Sequence, residues 1–150
     1  TLDTISAVGG AQTLIDCLMA PSPQSFKVRF RIMDMKPQLK GKSLREVCIS
    51  NKKFAKFQFV ICISDPYLDL AVIVPNAVAE KMFGMSARQV KKEIDDGSIS
   101  SHQKSACNWM KSLAKQQIVE GTIRSILMGD DTKYFVLSDM PVFIHNEKSS

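Results

Sequence analysis

The hydropathy pattern of the chain predicts a mainly β fold: a small barrel of five strands with a long helical stretch between the third and the fourth. Three observations lead there. The run Phe26-Lys27-Val28-Arg29-Phe30-Arg31-Ile32 alternates apolar and basic side chains, which is the period of a strand with one buried face. Four further runs rich in β-branched and aromatic residues recur at 57–63, 68–74, 118–127 and 133–137. Between residues 75 and 115 the apolar spacing changes from two to three and four, as an amphipathic helix requires.

Each element follows from its residues. Residues 2 to 19 read as a helical lead-in, with Ile5 and Val8 starting a spacing that Ile15, Leu18 and Met19 resume. Gly9-Gly10 interrupts it, so two short helices fit as well as one. Pro21 and Pro23 then stop the helix. In the first strand Phe26, Val28, Phe30 and Ile32 face inward and Lys27, Arg29 and Arg31 outward, until Met33-Asp34-Met35 breaks the alternation as a bulge or bend does. Residues 36 to 56 form a basic connection with room for a short strand near Arg45 to Ile49. Phe57–Ile63 and Leu68–Val74 pair as a hairpin across Asp65-Pro66. Helices follow from Pro75 or Asn76, after Ser86, and over about His102 to Lys115. Ile118–Leu127 and Lys133–Leu137 pair across the turn formers Gly129-Asp130-Asp131. The order strand, loop, strand, strand, helices, strand, strand is that of the OB-fold barrel. The expected layout is a single domain over 1–150: a lead-in at 1–24, strands one to three at 26–74, helices at 75–116, strands four and five at 117–140, and a tail at 141–150. The expected core holds Val28, Phe30, Ile32, Phe59, Ile61, Val72, Ile123 and Val136.

Composition narrows the function classes. The chain has 150 residues, 45% of them hydrophobic and 23% charged, enough for a proper core. It starts at Thr1 and ends in the polar run Asn146-Glu147-Lys148-Ser149-Ser150, which reads as a piece of a longer protein. No apolar run approaches the roughly 20 residues that span a bilayer, so no membrane role is expected. Cys17, Cys48, Cys62 and Cys107 form no Cys-x-x-Cys pair. Cys17 and Cys62 fall in apolar periods and read as small core residues, and the set fits a reducing compartment. The net charge of +5 is uneven: ten Lys and Arg against two acids from Gln24 to Lys56 make that stretch +8 and leave −3 for the rest. Such asymmetry marks either a nucleic acid or acidic partner or the solvated outer face of a strand and its loop.

Catalysis and metal binding find no support. His102 and Cys107 are five apart and lack the converging ligands that zinc needs. His102 and His145 are the sole imidazoles, the first in a polar Ser-rich stretch and the second near the tail, with no base-and-orienter pair around either. Asp95-Asp96 are neighbours that diverge on a helix, and Asp130-Asp131 are turn formers. No catalytic residue, metal, cofactor or small-molecule substrate is expected.

Taken in order, the segments resemble the C-terminal OB domain of protection-of-telomeres proteins. The resemblance rests on Ser25-Phe26-Lys27-Val28-Arg29-Phe30-Arg31 through Lys36-Pro37, on Phe59-Val60-Ile61-Cys62-Ile63-Ser64-Asp65, and on Leu70-Ala71-Val72-Ile73-Val74 leading into Asn76 to Glu80. Gly121-Thr122-Ile123-Arg124-Ser125-Ile126 and Tyr134-Phe135-Val136-Leu137-Ser138-Asp139 continue it, and Thr4-Ile5-Ser6 is similar to the lead-in of yeast-type members. It spans nearly the whole chain, and the ordered set carries it rather than any one motif. It implies a non-enzymatic domain in the nucleus, at the telomeric region of the chromosome. That domain docks the shelterin partner subunit, the beta-type end-binding protein, within a parent that contacts single-stranded telomeric DNA. Animal members carry a resolvase-like insert with a zinc site after the first strand. Here that connection holds Cys48 alone, so the zinc site does not carry over.

Two sets of site residues follow. Met82, Phe83, Met85, Trp109 and Met110 give the helical stretch more apolar bulk than a barrel plug needs. They either cap the barrel or meet a partner, where Met and Trp are over-used. The alternative function is single-strand binding by the OB fold itself. It would use Lys27, Arg29, Arg31, Lys52, Lys53 and Tyr67, with Phe54 and Tyr134 as further exposed rings. Phosphates then dominate, because aromatic platforms are few.

Overall fold

A computed structural model describes residues 12–113 and 117–144 of the chain. The lead-in is therefore seen from residue 12 onward; Ile5, Val8, the Gly9-Gly10 break, Lys115 and His145 lie outside the described residues. Helix α1, Leu14–Met19, starts at a reciprocal cap. Thr13 Oγ1 accepts from the Asp16 amide, and Asp16 Oδ2 accepts from the Thr13 amide, satisfying two donors that a helix start leaves open. At its other end Lys133 Nζ donates to the carbonyls of Leu18 and Ala20. Leu14 and Cys17 are its buried face.

Strand β1, Gln24–Lys36, is long enough to serve two walls. Its first half pairs antiparallel with β6, Ile118–Leu127, from Gln24 opposite Ser125 to Arg31 opposite Ile118. Its second half pairs with β4, Phe59–Ser64, from Arg31 opposite Ser64 to Lys36 opposite Val60. The register shifts between Ile32 and Asp34, where the sequence loses its alternation, and exposed Met33 is the extra residue. The bulge bends the strand from one wall to the next.

The connection between β1 and β4 is more structured than its composition suggests. A single 3₁₀ turn at Arg45–Val47 leads into a hairpin of β2, Cys48–Ser50, and β3, Ala55–Phe57. The single strand expected over 57–63 is thus two strands, broken at exposed Gln58, whose amide turns away to the Val47 carbonyl. Strand β5, Asp69–Val74, pairs with β4 along its length, and β7, Lys133–Leu137, pairs antiparallel with β6. A parallel pairing of β5 with β7 at Ile73 and Val136 closes the ring, giving a five-stranded mixed barrel of OB-fold type. A two-residue strand β8, Val142–Phe143, adds to β6.

Helices α2, Asn76–Phe83, α3, Ala87–Asp95, and α4, Ser101–Leu113, fill the stretch between β5 and β6. Ser86 caps α3 through its hydroxyl. Gly84 ends α2 with φ +71°, the left-handed conformation that favours glycine, and a Cβ there would come 3.0 Å from His102 Nε2 and push the ring aside.

Val28, Phe30, Ile32, Phe59, Ile61, Val72 and Ile123 are buried as expected. Val136 is not: Phe135 and Leu137 point inward instead. The pleat inverts that expectation by one residue, and in Tyr134-Phe135-Val136-Leu137 no polar residue marks the outer face. Cys17 is a core residue, whereas Cys62 sits on the outer face of β4, half-buried.

Candidate interaction surfaces

The face of strands two and three, with the loops that flank it, is where this fold binds oligonucleotides. Here those strands are β4 and β5. Alternation places Ile61, Ile63, Val72 and Val74 in the core and turns Val60, Cys62, Ser64, Asp69, Ala71 and Ile73 outward. None of these six is aromatic or cationic. Asp34 lies opposite Cys62 on the neighbouring β1. Ile73, 38% exposed, stands beside half-buried Val136 at the seam. A cleft of about 460 Å³ opens at one end of this face, between Lys56, Gln58 and Val60 on one side and Ile73, Pro75 and Asn76 on the other. The two strands are apolar in their middle, and the charges around them are of both signs, Asp34 and Asp69 against Lys36 opposite Val60 and Lys56 in the cleft. With no ring on the strands themselves, the face suits an apolar protein segment better than stacked bases.

The helical residues expected to meet a partner are mostly committed to the core. Met82, Phe83 and Met110 are buried. Phe83 packs edge-on against Phe57, centroids 4.9 Å apart, and also meets Phe59. Extra apolar bulk in α2 and α4 thus seals the barrel, because the helices must cover the open end and the β2–β3 hairpin together. Met85 and Trp109 are half-buried against that core, and Trp109 is met edge-on by Phe143 of β8 at 6.4 Å.

The six residues expected to contact nucleic acid divide into two groups. Lys27, Arg29 and Arg31 lie along the outer face of β1. Glu120, opposite Arg29 on β6, bridges Lys27 at 3.0 Å and Arg29 at 3.1 Å. Burial alone would raise the Glu120 carboxyl, but the hydrogen bonds and charges of Lys27 and Arg29 overcome this and hold it below its ordinary value. That acid offsets part of the positive stripe. Arg29 and Arg31 also line a small pocket with Ser64, Asp65 and Pro66, close to Tyr67 in the β4–β5 turn. Asp65 builds this turn. Its carboxylate accepts from the amides of Tyr67 and Leu68 and, at 2.8 Å, from that of Leu14 at the start of α1. Lys52 and Lys53 belong to the β2–β3 hairpin. Leu127 at the end of β6 and Met128 at the start of the following turn are exposed, and Tyr134 follows on β7.

Nucleophiles are quiet. Burial pushes the Cys17 thiol up to about 12, with Asp16 and Asp65 adding to the shift. Burial also raises Cys48, Cys62 and Cys107, the reverse of an activated thiolate. His102 Nε2 is engaged with the Gly84 carbonyl at 2.9 Å. Among the described residues no three His, Cys, Asp or Glu side chains converge as a metal site.

Neither a family model nor a curated protein matches the sequence. Solved structures do match in fold. A replication protein A heterotrimer bound to single-stranded DNA superimposes with a TM-score of 0.52 at 15% identity, over 87% of this chain and 34% of that one. The chain therefore spans about a third of that relative. Fission yeast Pot1 and Tpz1 give 0.54 at 13% identity, over 87% of this chain and 90% of that one. Yeast replication protein A bound to single-stranded DNA gives 0.52 at 9%, over 87% and 83%. At such identities the likeness is one of fold: the chain is an OB fold, by topology and by superposition. The β2–β3 hairpin was only half visible in the sequence, and β8 not at all, because three- and two-residue strands are shorter than any periodicity.

Proposed function

We propose that this OB fold is a non-enzymatic docking domain of a telomere end-protection protein, holding the bridging partner subunit of a shelterin-type complex in the nucleus. The observation that carries the reading is the outer face of β4 and β5. Where a strand-gripping barrel needs rings and cations, this one presents Val60, Cys62, Ala71 and Ile73. The ordered resemblance to the C-terminal domain of protection-of-telomeres proteins supports it, as does a superposition on a structure solved with Pot1 and Tpz1 together. The docking site moves, however, from the helices to the sheet. Met82, Phe83 and Met110 are spent on the core, which leaves Met85 and Trp109 as the accessible members of the helical set.

The test is binding of the bridging subunit from the same source to the domain carrying Ile73→Asp or Val60→Asp. Each variant is expected to bind at least about tenfold more weakly, as central apolar anchors do, with an unchanged melting temperature. Unaltered partner affinity in both, or tight sequence-selective binding of telomeric single strands across this face at physiological salt, overturns the reading.

A further inference from the structure

We propose that the two ends of the barrel are complementary surfaces through which copies of this chain bind head to tail, the basic β2–β3 hairpin of one copy on the apolar, acid-rimmed α1 end of the next. β4 sets the two ends apart. It begins at Phe59, close to the hairpin, and its last residue leads into Asp65, which holds the Leu14 amide of α1. One chain therefore cannot bring its own two ends together.

The α1 end is the tail, a surface that the described residues leave uncovered. α1 turns Leu14 and Cys17 into the barrel and Ile15, Leu18 and Met19 to solvent, Met19 at 77% exposure. Lys133 ties the β6–β7 turn to the end of α1, its ammonium donating to the Leu18 carbonyl at 2.9 Å and the Ala20 carbonyl at 2.6 Å. Exposed Leu127, paired with Lys133, and exposed Met128 thus belong to the same end. Five large apolar side chains gathered there differ from the scattered singles normal on a surface and mark an interaction site. The exposed charges of α1 and the turn are Asp16, Asp130 and Asp131. Their single cation, Lys133, is half-buried, and Arg124 of β6 is on the outer wall of the barrel.

The hairpin is the head, and its chemistry is the counterpart. From Cys48 to Phe57 it holds three lysines and no acid. Cys48 and Phe57, paired across it, anchor the base: Phe57 is buried, and Cys48 Sγ reaches the Ala87 carbonyl of α3 at 3.6 Å. Ile49 and Phe54 are exposed, with Lys52 and Lys53 between them and the Lys56 ammonium 5.4 Å from the Phe54 ring centroid. Asn51 orders the tip: its amide donates to the Phe54 carbonyl, and its Oδ1 accepts from the amides of Lys53 and Phe54 at 2.7 and 2.9 Å. An ordered tip gives up little conformational freedom on docking. Helix α3 beside it balances Arg88, Lys91 and Lys92 with Glu93, Asp95 and Asp96, so it neither adds to the hairpin's charge nor offsets it. Apolar anchors among cations thus face apolar anchors among acids, and the same chain supplies both.

A head on a tail leaves one head and one tail free, so the contact propagates into a row of copies. Neither end includes Val60, Cys62, Ala71 or Ile73, so each copy in the row keeps the middle of its β4–β5 face for a partner. Sedimentation velocity of the whole chain, from low micromolar to millimolar concentration, tests this. The mean mass is expected to climb past that of a dimer and to fall back as salt is added. Phe54→Asp and Met19→Asp should each weaken self-association at least about tenfold. Both side chains are exposed, so both variants should melt like the parent, and Lys53→Glu repeats the hairpin test by charge alone. Mixed in equal amounts, Phe54→Asp and Met19→Asp are expected to form a dimer and nothing larger, since the pair shares one intact head and one intact tail. A parent that is monomeric throughout overturns the proposal. So does a parent dimer indifferent to Phe54→Asp, the mark of two like ends meeting, or a mixture of the two variants that stays monomeric. Association gained only on deleting residues 1–11 would make the lead-in the occupant of the α1 end and overturn it likewise.

Discussion

Glu93 ties α3 to α4 and, through Gln103, to the loop before β2. Its carboxylate accepts from Gln89 Nε2 at 2.8 Å, from Gln103 Nε2 and from the Ser100 amide, while Gln103 Oε1 accepts from the Leu44 amide. Gln103 is fully buried, so each of its polar atoms needs this partner set. The bond from Gln89, followed by those from Gln103 and Ser100, outweighs partial desolvation and holds the Glu93 carboxyl at about 2, against an ordinary 4.5. The sign follows: a depressed carboxyl contributes stability that is complete above its unfolded value and is lost as pH falls toward the folded one. The urea midpoint is therefore expected to hold from pH 7 to 5 and fall between about 4.5 and 2. Glu93→Gln should flatten that fall, and an identical profile in the variant would assign the acid sensitivity to other carboxylates, Glu120 first. No local pattern marks this cluster, since Glu93, Gln103 and Leu44 are brought together only by the packing of three segments.

At the scale of elements, what the sequence shows depends on contrast between neighbours. β1 was legible residue by residue because Lys27, Arg29 and Arg31 interleave with Phe26, Val28, Phe30 and Ile32, and its bulge was legible because Met33 breaks the beat. Within β7 the inward and outward residues are both apolar, which is why Val136 exchanged places with Phe135 and Leu137. The helices were found by spacing, but spacing cannot tell a barrel cap from a docking stripe. Both need apolar residues three and four apart. The structure distinguishes them through Phe83, wedged against Phe57 and Phe59. Phe83→Asp is expected to unfold the domain, while Met85→Asp, at a half-buried position, leaves it folded. In β1, Phe30→Ala should lower stability by about 3–5 kcal/mol, measured by denaturant unfolding. A change below about 1 kcal/mol would be incompatible with a fully buried ring. Gly121, opposite Val28, leaves room for that ring: a Cβ there would touch Phe30 at 3.4 Å.

Across the whole molecule the walls of the barrel are unequal. β1 runs alongside β6 for eight residues and then alongside β4, whereas β5 meets β7 at one registered parallel pair, Ile73 with Val136. Seams with few backbone hydrogen bonds open first. Amide exchange is therefore expected to be fastest along the facing edges of β5 and β7 and slowest in the first half of β1 and its β6 partner. Equal protection at the two seams would refute this ordering. The proposed docking face borders the weaker seam along β5, so a partner bound there should slow exchange at Ile73 and Val136.

The two-walled β1 also shapes how the chain comes into being. Arg29 finds Glu120 across 91 positions, and at about 5–20 residues per second a ribosome needs on the order of ten seconds to deliver that partner. Through that interval Phe26, Val28 and Phe30 wait without the strand that will cover them. The alternating Lys27, Arg29 and Arg31 keep the waiting edge positively charged, and charge on an unpaired edge discourages pairing with a neighbouring nascent chain. The basic stripe thus guards synthesis first; once β6 arrives, the single Glu120 carboxylate bridges Lys27 and Arg29 and offsets one of its charges.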